Sequence, residues 1–263
     1  MEIGQFMECV IFDNLTGCKV VSYKEELWRP TDQTISDLIG DQWRKMEARN
    51  ISVGATLTNG LLVRANEMHM DEQRILEVAA QKLDYKSHAT TRDNPDIPIT
   101  QRGLGLYVTA QLVSSDSYLV FGRTKNTEIQ YQDIINVIAG GVEPQDIVIG
   151  QGLEHAMLRE VKEETGQEDQ DIVSINISYV IREMIAAHPS LVHIISSRLN
   201  SREMIEVYKS HTHKQIQSGE SPELKELHFI PIDKKKIVKA LEDSANNYHE
   251  RVRIVLLHTI NQL

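Results

Sequence analysis

Three glutamates at helical spacing lie in the second half of the chain, and they constrain the fold more than any other feature. Glu160, Glu163 and Glu164 are three and four positions apart, so on an α-helix their side chains share one side. Apolar residues occupy the neighbouring sector of the same segment. The pattern predicts a helix over residues 153–165 that packs on a core with one flank and gathers carboxylates on the other.

The carboxylates of this helix suggest a cation site. Like charges at these spacings cost about 0.2–0.5 kcal/mol per pair in an isolated helix, and a bound hard cation such as Mg²⁺ or Mn²⁺ recovers that cost. Arg159 can hold a carboxylate in place through its planar guanidinium. An apolar strand over residues 134–138 leads into Gly140 and Gly141 ahead of the helix. A solvated acidic face is the structural alternative, and the glycine pair before the helix makes it less favoured.

These residues resemble the signature of the Nudix hydrolases. The second half of the signature, Arg-Glu-x-x-Glu-Glu-x-Gly, matches at every defined position. The matching residues are Arg159, Glu160, Glu163, Glu164 and Gly166.

The resemblance covers residues 103–263 and implies a fold of the α/β (α+β) class, an α/β/α sandwich around a mixed sheet. It also implies hydrolysis of a nucleoside diphosphate linked to another moiety, with Mg²⁺ or Mn²⁺ as cofactor. Glu160, Glu163 and Glu164 would be metal ligands, Glu160 could also serve as the base, and the carbonyl of Gly140 would be a further ligand.

The first half of the signature departs from the family pattern. Gln151 stands where the family has a glutamate that pairs with the arginine, and the preceding loop is about four residues longer, with the insertion within residues 145–149. Whether another acid compensates for Gln151 is open at this point. A distal acid from a later loop is common in the family, and Glu220, Glu223 and Glu226 are equal candidates.

A finer resemblance is to the UDP-glucose pyrophosphatase branch of the family, which also has an N-terminal extension and a lengthened loop. Its reaction would give UMP and a sugar 1-phosphate from a UDP-sugar. Arg182 and Arg123 could meet phosphate or sugar oxygens, and Tyr85 or Tyr131 could stack on a base. Each of these residues is more commonly a surface cation or a packing aromatic. The competing functional hypothesis is a catalytically silent sensor of a nucleotide or nucleotide sugar, favoured by Gln151.

The net charge and composition limit the kinds of partner that the protein is expected to bind. The formal net charge of -10 leaves no excess of cations for phosphates, which argues against nucleic-acid and membrane-surface binding. The two cysteines are too few for a disulfide framework, and no apolar run approaches the roughly 20 residues of a membrane span. We therefore expect a cytoplasmic protein that acts on a small nucleotide. Its oligomeric state is open, with a homodimer as one alternative.

The first part of the chain reads as a smaller unit. Residues 1–102 are predicted to form an α+β domain with a linker, and residues 103–263 the hydrolase domain. Within the first unit, Asn59 and Gly60 indicate a hairpin between strands over residues 52–57 and 61–65. Residues 70–82 are predicted to be helical, and the polar stretch 85–102 is either a linker or a substrate-side loop.

Overall fold

Strands and helices alternate irregularly along the chain in the computed structural model, which describes residues 9–52, 57–125, 133–183, 187–243 and 245–263. No helix in these ranges is long and apolar enough to span a membrane. The elements are β1 (Val10–Phe12), β2 (Gly17–Lys24), α1 (Gln33–Ser52), β3 (Leu61–Met70), β4 (Ile75–Asp84), α2 (Tyr85–Thr91), β5 (Tyr107–Val113), β6 (Tyr118–Thr124), β7 (Ile135–Asn136), β8 (Ile138–Gly141), α3 (Glu154–Thr165), β9 (Ile172–Arg182), β10 (Pro189–Ser197), α4 (Ser201–Ser218), β11 (Leu224–Pro231), α5 (Lys234–Glu242) and α6 (Glu250–Gln262).

A mixed sheet forms the centre of the fold. Its strands lie in the order β1-β9-β10-β5-β6-β11, with β7 paired to β6 and β8 paired to β5. Strands β10 and β5 are parallel, whereas β5 and β8 are antiparallel. Apolar residues of α3 and α4 belong to one buried cluster with residues of the sheets. Apolar residues of α5 and α6 belong to two other clusters, which contain different residues of the main sheet. The predicted fold class, a mixed sheet packed with helices, is confirmed.

A second, smaller sheet in the order β2-β4-β3 comes from the first part of the chain. Its residues Val63, Leu76 and Val78 belong to the same buried cluster as Val108 of β5 and Met157 of α3. Because this core is continuous, the small sheet is fixed against the main one. The division at residue 102 stays a prediction.

One prediction for the first part of the chain is wrong. Residues 75–84 form strand β4 instead of a helix, and their burial alternates along the strand. The predicted strand over residues 61–65 is part of β3, which pairs with β4. Of its predicted hairpin partner, Ser52 is the last residue of α1 and residues 53–56 lie outside the described residues, so the hairpin stays a prediction.

The stretch 85–102 is an ordered segment. Helix α2 begins at Asp84, whose carboxylate accepts a hydrogen bond from the backbone N–H of Ser87 at 2.9 Å. His88 and Thr91 on this helix are fully buried. The N-terminal part of the chain is therefore packed next to strand β5, where His88 contacts Tyr107.

Candidate metal centre

Helix α3 carries the acidic residues, and its position is set by both its ends and its apolar flank. Met157 and Val161 are buried in the core, as the spacing predicts. The helix ends at Gly166, which has a left-handed φ of 76° and donates its N–H to the carbonyl of Lys162 at 2.9 Å. A glycine is favoured at this C-terminal position. The acidic flank is thereby held against strand β8.

Glu160 and Glu164 both approach the glycine end of β8. Glu160 is 8% exposed, and a Cβ atom placed on Gly140 would lie 2.0 Å from its carboxyl carbon. Glu164 is 9% exposed, and its Oε1 accepts a hydrogen bond from the backbone N–H of Ala139 at 3.3 Å. The two carboxylates therefore share one buried region, and Gly140 leaves the space that Glu160 occupies.

Glu163 is placed differently from the other two. Its side chain is 56% exposed, and its Oε2 accepts a hydrogen bond from Nη1 of Arg159 at 3.2 Å. The structure thus brings together Glu160, Glu164 and the backbone of Gly140, while Glu163 lies at the rim beside Arg159.

Arg159 is held by an acid that the sequence did not single out. Its Nη2 donates to Oδ2 of Asp146 at 3.0 Å and to the carbonyl of Gly141 at 3.2 Å. Its Nη1 donates to Oε1 of Glu160 at 2.7 Å. Asp146 is 3% exposed and lies in a short 3₁₀ helix, Pro144–Asp146. The arginine consequently joins the loop after the glycine pair to the acidic helix.

The buried acid in the loop that pairs with Arg159 does not come from position 151. Gln151 is exposed, and its backbone carbonyl accepts a hydrogen bond from Val20 at 2.8 Å. Asp146 takes the arginine instead. Because Asp146 is the one acid within the inserted residues 145–149, the insertion itself was a signal that could have identified it.

Burial makes the two carboxylates unusually hard to ionise in the protein alone. Burial raises the pKa of Glu160 to about 7, with the charge of Arg159 opposing the rise. Burial, followed by the charge of Glu223, raises the pKa of Glu164 well above its usual value. Two acids in this state are suited to a cation, which would favour their charged form.

The donor set fits a hard divalent ion. Carboxylate and carbonyl oxygens are the ligands that Mg²⁺ and Mn²⁺ prefer, and Glu160, Glu164 and the carbonyl of Gly140 could supply them. Across the described ranges, no group of three or more His, Cys, Asp or Glu side chains is already arranged to hold a metal. This agrees with the outward placement of Glu163.

Of the three candidates for a distal acid, the electrostatics favour Glu223. Its charge raises the pKa of both Glu160 and Glu164. Glu226 instead lies 3.6 Å from Arg123, in an ion pair. For Glu220, the contact seen is a backbone hydrogen bond from its N–H to Gln215 at 2.8 Å.

Tyr85 lies in a cavity of about 550 Å³ whose wall also contains Leu62, Glu143 and Pro144. Leu62 lies over Gly141, since a Cβ atom on that glycine would be 2.7 Å from its Cδ2. The cavity is therefore next to the glycine pair, and an aromatic ring is available there.

The two arginines predicted to bind substrate lie elsewhere. Arg123 makes a two-bond contact with Asp133, at 2.9 and 3.3 Å. Arg182 lines a different cavity, at the end of β9. Tyr131, the other aromatic candidate, lies outside the described residues.

A buried polar cluster that the sequence did not predict lies close enough to Glu164 for its charge to act there. The charge of Arg251 in α6 partly offsets the rise in the pKa of Glu164, and Arg251 forms an ion pair with Glu183. His188 lies 3.5 Å from Glu183, and its ring centroid is 4.4 Å from that of Tyr107. These residues are far apart in the sequence, so no local pattern indicates that they meet.

Comparison with known proteins gives structural similarities alone. No protein-family model matches the chain, and no curated protein matches it. The fold is similar to that of DR0079 from Deinococcus radiodurans, with 12% identity, a TM-score of 0.45, and 76% of this chain and 98% of that chain covered. It is also similar to a NUDIX-family hydrolase from Clostridium perfringens (13% identity, TM-score 0.34, 60% and 97% covered) and to the MutT protein of Methanosarcina mazei Go1 (14%, 0.39, 60% and 94%).

Proposed function

We propose that the protein is a Nudix hydrolase that cleaves, with Mg²⁺ or Mn²⁺, the pyrophosphate bond of a nucleoside diphosphate linked to another moiety. The observation that carries the proposal is the buried pair Glu160 and Glu164 beside Gly140. Two carboxylates with raised pKa values in one buried region are unfavourable without a partner of opposite charge. Perturbed acids that cluster in this way are typical of functional sites.

Glu160, Glu164 and the carbonyl of Gly140 would hold the cation, with Glu163 and Glu223 as the nearest further carboxylates. When bound, the cation neutralises charge on the diphosphate and lowers the pKa of a water molecule. Arg159 keeps Glu160 in position, because the same guanidinium is tied to Asp146 and to the carbonyl of Gly141. Glu160 is also our assignment for the base that takes the proton of the attacking water.

A UDP-sugar is the substrate that we propose, with UMP and a sugar 1-phosphate as products. The cavity at Tyr85 supports this choice, because a ring beside the glycine pair could stack on a base while the diphosphate lies at the carboxylates. The N–H of Val63 donates to the carbonyl of Val142 at 2.8 Å. This bond attaches the strand that carries the cavity wall to the segment after the glycine pair. We further propose that the protein acts in the cytoplasm.

A silent sensor is less well supported by the geometry. Its main argument was the loss of a carboxylate at Gln151, and Asp146 supplies the missing partner of Arg159. The sensor hypothesis remains distinguishable, because it predicts binding without turnover.

The test is hydrolysis of a panel of UDP-sugars, ADP-ribose, dinucleoside polyphosphates and oxidised nucleotides, with and without Mg²⁺. We expect turnover of a UDP-sugar that requires the ion. Glu164→Gln should lower kcat at least about 100-fold, which corresponds to roughly 2.7 kcal/mol of barrier. Glu163→Gln should also lower it if this residue joins the metal ligands.

Glu168→Gln is the matched control, because Glu168 follows the same helix but is exposed and pairs with Lys162 at 2.7 Å. This variant should keep wild-type turnover. Wild-type activity in Glu164→Gln would contradict the proposal, and saturable binding of a UDP-sugar without hydrolysis would favour the sensor.

A further inference from the structure

A second cavity, of about 340 Å³, lies where the small sheet meets the edge of the main sheet. Arg64 of β3 and Arg182 of β9 line it together. Its apolar wall includes Ile11, Phe12 and Leu104. Among the described residues, none lines both this cavity and the one at Tyr85.

Both arginines present a donor that has no acceptor. The Nε atoms of Arg64 and Arg182 are buried and make no hydrogen bond in the described part of the protein. Neither guanidinium forms an ion pair with an acidic side chain among the described residues, so both donors are unmatched. Buried polar groups are nearly always paired in folded proteins, so two unmatched donors in one cavity indicate a ligand.

The charge and position of the arginines define the kind of ligand. The guanidinium of Arg64 lies over the ring of Trp28 at 4.7 Å, which holds it in place. Glu67 is the acid in the cavity lining, and it is exposed, so water screens its charge. Two guanidinium groups match a doubly charged anion, and their planar forks suit phosphate oxygens. The apolar wall requires a ligand with an organic body.

The cavity is separate from the carboxylates. Pairing places Gly141 beside Tyr107, Tyr107 beside Ser190, and Ser190 beside Ile181. Three steps between neighbouring strands span about 14 Å. Arg182 is the next residue after Ile181, so a ligand here would lie well away from the proposed metal ligands.

We propose that this cavity binds a small organic phosphate, with the phosphate at Arg64 and Arg182 and the organic body against Ile11 and Phe12. This site does not depend on the proposed hydrolysis. It would remain if the carboxylates proved to be inactive.

Trp28 provides a direct signal for binding. The chain has two tryptophans, so Trp43→Phe leaves Trp28 as the one indole, in contact with Arg64. We would titrate this variant without divalent ions and follow Trp28 emission. Phenyl phosphate is the probe, and inorganic phosphate and benzoate are the controls that lack the ring or the double charge. We expect phenyl phosphate to bind saturably and about tenfold more tightly than either control.

Substitutions then locate the site. In the same background, Arg182→Met should weaken phenyl phosphate binding about tenfold or more, and Glu164→Gln should leave it unchanged. If Arg182→Met does not fold, as judged by thermal unfolding, Arg182→Lys takes its place and should weaken binding several-fold by losing the planar fork. The proposal is overturned by an unsaturable signal, by equal binding of inorganic phosphate or benzoate, by unchanged binding in the Arg182 variants, or by loss of binding in Glu164→Gln.

Discussion

Because Gly140 has no side chain, the carboxylate of Glu160 can lie against the backbone of strand β8. A Cβ atom at this position would fall 2.0 to 2.1 Å from the carboxyl atoms of Glu160, far inside van der Waals contact. Glu160 is buried and is held at the same time by Arg159. The side chain therefore cannot move aside without breaking that ion pair.

Gly140→Ala should consequently displace Glu160 and lower turnover at least about 100-fold, equal to roughly 2.7 kcal/mol of barrier. The measurement is kcat for the proposed UDP-sugar substrate at a saturating concentration of Mg²⁺. Gly40→Ala is the matched control, because Gly40 is inside α1 with nothing within 4 Å of the added Cβ. There the change should leave kcat unchanged and stabilise the helix by up to about 1 kcal/mol. Equal activity in both variants would show that the close approach at Gly140 is unimportant.

Among the elements, the short 3₁₀ helix Pro144–Asp146 carries the acid that holds Arg159. Oδ2 of Asp146 accepts hydrogen bonds from Arg159 at 3.0 Å and from the backbone N–H of Glu143 at 2.9 Å. The same carboxylate oxygen thus stabilises the turn, through the bond from Glu143, and holds the side chain of Arg159. The inserted residues therefore supply the acid that pairs with Arg159, and the arginine is held although position 151 is a glutamine.

Asp146→Asn should remove one of the acids that hold Arg159 and lower the free energy of unfolding by about 2 kcal/mol, since Glu160 and Glu163 still pair with the guanidinium. It should also lower kcat, because Arg159 positions Glu160. Urea unfolding and kcat measure the two effects. Gln151→Glu is the informative comparison: since Gln151 is exposed, a glutamate at this position should change neither quantity. A gain in activity from Gln151→Glu would mean that Asp146 is a poor substitute.

The same elements show how far the sequence could predict the fold. Helix α3 was predictable because its apolar spacing, its acidic flank and Gly166 all indicate the same helix. Strand β4 was not, because Leu, Glu, Ala, Gln and Lys are all strong helix formers. Its pairing with β3 across residues 71–74 and with the more distant β2 overrides that local preference. The pairing with β2 leaves no mark on a single window of sequence.

At the scale of the whole molecule, the site depends on contacts between the two parts of the chain. His88 of α2 lies beside Tyr107 of β5, whose hydroxyl is 2.9 Å from the histidine Nε2. Tyr107 in turn contacts His188 and Arg251. The carboxylates proposed as metal ligands lie in one contiguous motif, so the sequence could indicate them. This cluster could not be indicated in that way, because its members are separated by up to 163 positions, between residues 88 and 251.

Burial of neutral histidines should make the whole molecule sensitive to acid. Burial lowers the pKa of His88 to about 3 and that of His193 to about 4. Burial, with the charge of Arg251, lowers the pKa of His249 to about 4. A histidine with a lowered folded-state pKa contributes stability above its unfolded value of about 6.5, and that stability is lost as the pH falls towards the folded value.

His193 is a suitable position for a test, because the residue is fully buried, both ring nitrogens included. The pKa of this residue is about 6.5 in the unfolded chain and about 4 in the folded protein. Its titration should therefore lower the free energy of unfolding by about 2 kcal/mol between pH 7 and pH 5. Between pH 7 and pH 5, the free energy of unfolding of His193→Leu should fall by about 2 kcal/mol less than that of the wild type. Urea unfolding at the two pH values measures this difference. His213→Gln, at an exposed position, should lose as much as the wild type. If His193→Leu and the wild type lose stability equally, the acid sensitivity must come from the other buried histidines.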